Sequence, residues 1–208
     1  MKSPPDAVYA EVRDTDPDAL DAAGLTSHIG RLAVMRAWVD AEQVRATRAQ
    51  RRLAEQGRAA DPASSLSRDG KQSSKDAKAA AEREQVCTSM PGFEDALDHG
   101  TVTAGHVDAI ASATRNLDDA ERAEFVGEAD TLLDDAQDQG VDQFAKNCRD
   151  MARSIRARHN ARAAEDEGVL VGVVQRDLPR GAEADALHLA EDAVDPQRAG
   201  RLALCLLY

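Results

Sequence analysis

His99 and His106 are the two residues in this chain most nearly placed to do chemistry together. They stand on either side of a turn in the stretch EREQVCTSMPGFEDALDHGTVTAGHVDAIASATRNL, residues 82–117. Two imidazoles across a turn can hold a divalent cation or pass a proton, but either task needs further ligands or a paired carboxylate. No cysteine and no carboxylate pair sits at ligand spacing beside them, so neither a metal nor another cofactor is expected. His106 falls three residues after Thr103, a helix-start position at which an exposed polar residue is unremarkable. His159 and Asn160 stand side by side, but they fall on the polar end of a helical pattern. The serines occupy loops and caps, with no strand–turn–helix elbow to activate one, and no glycine-rich phosphate loop is present. Cys87, Cys148 and Cys205 are odd in number and widely spaced, which supports neither a disulfide framework nor a metal site. Cys87 and Cys148 read as small buried hydrophobes. Catalysis therefore has no visible seat in these 208 residues.

Charge is the second candidate for chemistry. The net charge of −12 argues against nucleic acid, but it is an average over segregated blocks. Residues 31–58 hold seven arginines and three acids, residues 91–142 two arginines and fourteen acids, and residues 143–162 six basic residues and one acid. Clustered rather than net charge sets a nucleic-acid footprint. Candidate phosphate contacts are Arg45, Arg48 and Arg52 on the first basic block and Lys146, Arg149, Arg153 and Arg156 on the second. The competing explanation is that acidic and basic helices lie side by side and neutralise each other. Arginines late in a helix also complement its dipole without any ligand.

The elements that must position these groups are helical. Aromatic residues make up only 3% of the chain, so a core must rest on Leu, Val, Ile and Ala, which favours helices. The expected fold is all-α: a multi-helix domain with one long N-terminal helix and a short β or irregular C-terminal tail. Leu25, Leu32, Val39, Ala46 and Leu53 recur every seven residues, with Ile29, Met35 and Ala49 between them. That predicts one apolar stripe on a helix of roughly 30 residues, from near Thr26 or Ser27 to Gly57. So long a helix must lie along other helices or along a second copy of itself, which makes a homodimer an expected partner mode. Residues 61–74 read as loop by composition, and residues 75–88 as a helix capped by Ser74.

Pro91 breaks that helix, a short helix follows to His99, and Gly100 closes it. Thr103 caps a helix carrying Val107, Ile110, Ala111 and Thr114, and Asp118 caps one acidic helix running to about Asp138. Asp142 starts the last, with Phe144, Cys148, Met151, Ala152 and Ile155 on one stripe and Lys146, Arg149, Arg153 and Arg156 on another. Residues 169–174, VLVGVV, read as a short β-type run, and the sequence ends on the apolar LALCLLY. No signal-peptide core and no bilayer-length apolar run appears, so membrane association is not expected and a cytoplasmic location is.

The pattern Pro91, Ala96, Leu97, Gly100, Val102, Thr103 and His106, set between a long N-terminal helix and the later GVDQFAKNCRD, resembles the bacterial family of domain of unknown function 222, the thirteen-E-twelve repeat family. The likeness covers roughly residues 20–165. The organisation expected from it is an acidic N-terminal segment, 1–20, a helical domain, 21–165, and a divergent tail, 166–208. In that family the helical region commonly precedes an HNH endonuclease module, in which histidines and an asparagine bind a divalent metal and activate water. No such module is visible after Gly168, so no catalytic residue carries over. The resemblance implies a non-catalytic accessory domain with DNA as its expected partner. The change of composition near residue 167 implies truncation or a shifted reading frame; a helical homodimer or a remnant without activity are the alternatives.

Overall fold

The computed structural model describes residues 6–176, with side chains placed from residue 8 to residue 165. The first five residues and residues 177–208, which include His188, Cys205 and the apolar end, lie outside the described residues. Two compact units divide the chain, Met1–His159 and Asn160–Tyr208. The second is described only as far as Arg176, and there its backbone is helical.

The described residues form nine α-helices: α1 Asp6–Asp14, α2 Ala22–Glu55, α3 Pro62–Arg68, α4 Ser74–Ser89, α5 Pro91–His99, α6 Ala104–Thr114, α7 Asp119–Gly127, α8 Ala129–Asp138 and α9 Val141–Arg176, with a 3-10 turn at Pro17–Ala19. No strand occurs among the described residues. The all-α expectation holds, but the expected β run at residues 169–174 does not, because the helical backbone of α9 continues through it to Arg176. A strand needs a neighbour to satisfy its backbone, whereas a helix closes its hydrogen bonds internally; β propensity alone does not overcome that difference.

Local chemistry sets most of the helix ends. Asp21, Asp61, Ser73 and Asp118 cap α2, α3, α4 and α7, each accepting a hydrogen bond from a backbone N–H inside the helix. The segment 61–74 is thus not all loop: Asp61 as cap and Pro62 in the first turn start α3. Ser73, not Ser74, caps α4. The expected single helix after Asp118 is two. At Glu128 the backbone leaves the helical region and its N–H reaches back to Phe125, one residue short of the α pattern, just after the low-propensity Gly127.

In the core of the first unit, α2 packs on α1, α3, α4 and α5, α6 packs on α4, and α8 packs on α5 and α7. Phe93, Phe125, Phe144, Leu97, Ile110, Leu132 and Ile155 are fully buried there. Each such side chain contributes about 1.5–3 kcal/mol by leaving water. The face of α2 turned to this core is Ala37, Ala41, Val44 and Thr47. The seven-residue stripe is on the other side: Leu25, Leu32, Val39 and Leu53 are exposed, as are Ala46 and Ile29, the last at 64% of its surface. That inner face packs against α4 and α5.

Candidate nucleic-acid interface

The two basic blocks meet different fates. On α2, Arg45 binds Glu42 at 2.9 Å, Glu94 at 3.8 Å and Asp98. Arg48 binds Glu94 at 2.6 Å and Glu84 at 3.6 Å. Arg51 binds Glu84 at 2.6 Å and the Ala81 carbonyl at 3.2 Å. Glu84 has only 3% of its side chain exposed, so these arginines compensate a buried carboxylate. Arg45 and Arg48, named above as candidate phosphate contacts, act here as struts between α2 and the acidic faces of α4 and α5. Arg52 is exposed and has no ion pair among the described residues.

The residue before Glu84 has the opposite sign and the mirrored role. Arg83 donates twice to Asp108 of α6, both at 2.9 Å, and reaches Asp40 of α2 at 3.3 Å. α4 therefore ties α2 and α6 through a cation and α2 alone through an anion. Burial raises the Asp40 carboxyl above its ordinary range; Arg83 opposes that rise and Asp108 adds to it.

On α9, Lys146, Arg149 and Arg153 are exposed and Arg156 is half-buried. Arg153 pairs only with its helix neighbour Asp150. Arg156 donates to the Asn116 carbonyl and lies 3.7 Å from Glu121. Arg149, Arg153 and Arg156 line a cleft of about 270 Å³ with Ser112, Ala113, Asn116, Leu117 and Ala152. No acidic residue lines it. The four α9 residues named from sequence are brought onto one face; those on α2 are not part of it.

The histidine pair does not converge. His99 is exposed and donates from Nδ1 to the Asp95 carbonyl at 2.7 Å. His106 is buried, contrary to the exposed position expected, because α8 and α9 close over it. Its Nε2–H donates to the Gln139 carbonyl at 3.0 Å, and its Nδ1 accepts from the Thr103 N–H at 3.1 Å. The ring also packs edge-on against Phe144 at 5.4 Å. His159 lies 2.8 Å from Glu124, which Arg158 also binds. The hydrogen bonds from Arg158 and His159 hold the Glu124 carboxyl below its ordinary range. Among the described residues no group of three or more His, Cys, Asp or Glu is placed to hold a metal ion. No described helix is long and apolar enough to cross a membrane.

The residues Pro91, Ala96, Leu97, Gly100, Val102, Thr103 and His106 form one packing device. Pro91 opens α5, Ala96, Leu97 and Val102 are buried, and Gly100 closes the helix at φ +71°. Thr103 and His106 join the start of α6 to the end of α8. Burial pushes the thiols of Cys87 and Cys148 up to about 12, so neither is a nucleophile. No protein-family model, no curated protein and no solved structure matches this chain.

Proposed function

We propose that this chain is the non-catalytic helical domain of an HNH-endonuclease-associated family, that of domain of unknown function 222, and that it holds DNA with one face of α9. The observation that carries the DNA contact is the contrast between the two arginine blocks. Arg45 and Arg48 are bound to carboxylates of the core helices, while Lys146, Arg149 and Arg153 stand exposed on one stripe of α9. The family membership rests on the spacing from Pro91 to His106, whose members act together in packing.

The test is fluorescence anisotropy of a labelled DNA duplex across a salt series. Each phosphate neutralised contributes about −0.9 to the slope of log affinity against log salt. The triple variant Lys146→Gln, Arg149→Gln, Arg153→Gln is expected to flatten that slope, and Arg52→Gln to leave it unchanged. Absence of binding at low salt, or equal losses in both variants, overturns this reading.

A second reading is favoured by the outer face of α2. Leu25, Ile29, Leu32, Val39 and Leu53 are large, apolar and exposed along one helix. Stripes of this kind mark interaction surfaces. The seven-residue spacing suits a second copy of the same helix. A parallel pair in register would set Arg31 beside the partner copy's Arg36, whereas an antiparallel pair separates those charges. An antiparallel homodimer is therefore the form proposed. Light scattering over a concentration series tests it: dimer for the unsubstituted chain and monomer for Val39→Glu. A monomer throughout removes it.

A further inference from the structure

The cleft between the end of α6 and α9 has the form of an anion seat. Its walls carry three guanidiniums, from Arg149, Arg153 and Arg156, and two neutral polar groups, Ser112 and Asn116. In a chain of net charge −12, a cleft lined by three cations and no acid is distinctive, although Asp150 and Glu121 pair with two of those arginines from outside the lining. Ala113, Leu117 and Ala152 form its apolar part, which weakens solvent screening of charges inside it.

The arginines differ in how firmly they are held. Arg156 is fixed by the Asn116 carbonyl and by Glu121. Glu121 is itself buried and accepts the Asp118 N–H at 2.9 Å, so its carboxylate is occupied at the cap of α7. Arg153 pairs with Asp150, but both side chains are largely exposed, at 77% and 47%, and such a pair costs little to exchange. Arg149 is exposed and has no ion pair among the described residues. One anchored and two adjustable guanidiniums suit an anion that arrives from solvent. Guanidinium forks match phosphate oxygens in pairs.

Size and continuation select among anions. At about 270 Å³ the cleft lies just under the ~300–1,000 Å³ usual for small-molecule sites and readily admits a phosphate-sized anion. The basic stripe runs on past the cleft to Lys146, about 4.5 Å further along the helix axis from Arg149 at 1.5 Å per residue. A line of cations leading out of a pocket fits a chain of anions, of which a nucleic-acid backbone is the simplest.

We infer that this cleft seats one phosphate of a nucleic-acid backbone between Arg149, Arg153 and Arg156, with Lys146 meeting its neighbour. The inference rests on the DNA reading given above and adds the place and the residues. Two titrations of the full chain test it. Inorganic phosphate is followed by the arginine Nε–H and Asn116 side-chain amide resonances, and a DNA duplex by anisotropy. A saturable shift confined to these groups is expected with phosphate. With DNA, Ser112→Trp, which fills the mouth without changing charge, is expected to weaken binding about tenfold, and Lys146→Gln by less. Phosphate shifts without any effect of Ser112→Trp on DNA would assign the cleft to free phosphate and overturn its role as a backbone seat. If Ser112→Trp is neutral while Lys146→Gln weakens binding, the cleft fails and the α9 face survives. If no DNA binds at all, both fail together. Retained helicity and thermal unfolding of Ser112→Trp, an exposed site, confirm that the plug has not unfolded the chain.

Discussion

Gly100 lies directly against Val34: a Cβ added at Gly100 would come within 2.8 Å of Val34 Cγ1 and 2.9 Å of its Cα. The same glycine has φ +71°, where a side chain is strained whatever the space. The end of α5 can therefore reach α2 only through a residue with no side chain. Gly100→Ala is expected to destabilise the fold by about 2–5 kcal/mol, combining left-handed strain of ~1–2 with overpacking of ~1–3. Urea unfolding with an unchanged slope measures it, and a loss under 0.5 kcal/mol would contradict the close approach.

Thr103 and His106 act as one unit. His106→Ala removes the acceptor for the Thr103 N–H and the donor to Gln139 in a buried setting. The expected cost is about 2–3 kcal/mol, because the partner groups lose their bonds away from water. Thr103 Oγ1 also lies 3.0 Å from His106 Nδ1. A double-mutant cycle with Thr103→Ala should thus give a coupling above ~0.5 kcal/mol. Additive losses would show that the two residues stabilise the fold independently.

Arg83→Met leaves the carboxylates of Asp40 and Asp108 facing each other without their shared cation. Removing one partner of a buried pair costs about 3–5 kcal/mol, expected here at pH 7. The sign with pH follows from Asp40. Its folded pKa is raised by burial, so between the unfolded and the folded pKa the folded state binds more protons than the unfolded state. The penalty of an ionised Asp40 is full well above its folded pKa and is withdrawn as pH falls through it. Loss of Arg83 raises that pKa further. The deficit of Arg83→Met should accordingly be smaller at pH 5 than at pH 7, as thermal unfolding at the two values will show; a deficit that grows on acidification contradicts this account.

Cys87 and Cys148 are buried, with their thiols pushed up to about 12. At pH 8 the thiolate fraction is on the order of one in ten thousand, and the thiolate is the reacting form. A Cys205→Ser chain should be inert to a thiol-specific disulfide reagent when native and take up two equivalents in denaturant. Rapid native labelling would show that the core around α4 and α9 opens.

The sequence by itself determined several of the helix boundaries in the middle of the chain, though not the break between α7 and α8. Pro91, Gly100, Thr103 and Asp118 work through their own backbone limits and caps, which are local and therefore legible. The start of α3 was legible too, in Asp61 and Pro62, but the polar composition around it masked the signal. The α9 stripe from Lys146 to Arg156 was readable because a helix repeats its faces regularly.

Only the tertiary structure decided which way α2 is turned and which cations are occupied. A seven-residue apolar repeat marks a stripe but does not say which face is inward. The packing of α2 against α4 and α5 buries Ala37, Ala41 and Val44 and leaves Leu32 and Val39 outside. Arg45, Arg48, Arg149 and Arg153 look alike in sequence. Their difference lies in Glu84, Glu94 and Asp98, brought to α2 by the packing of α4 and α5. Ion pairing over such separations depends on where the helices meet in space, which short-range spacing does not encode.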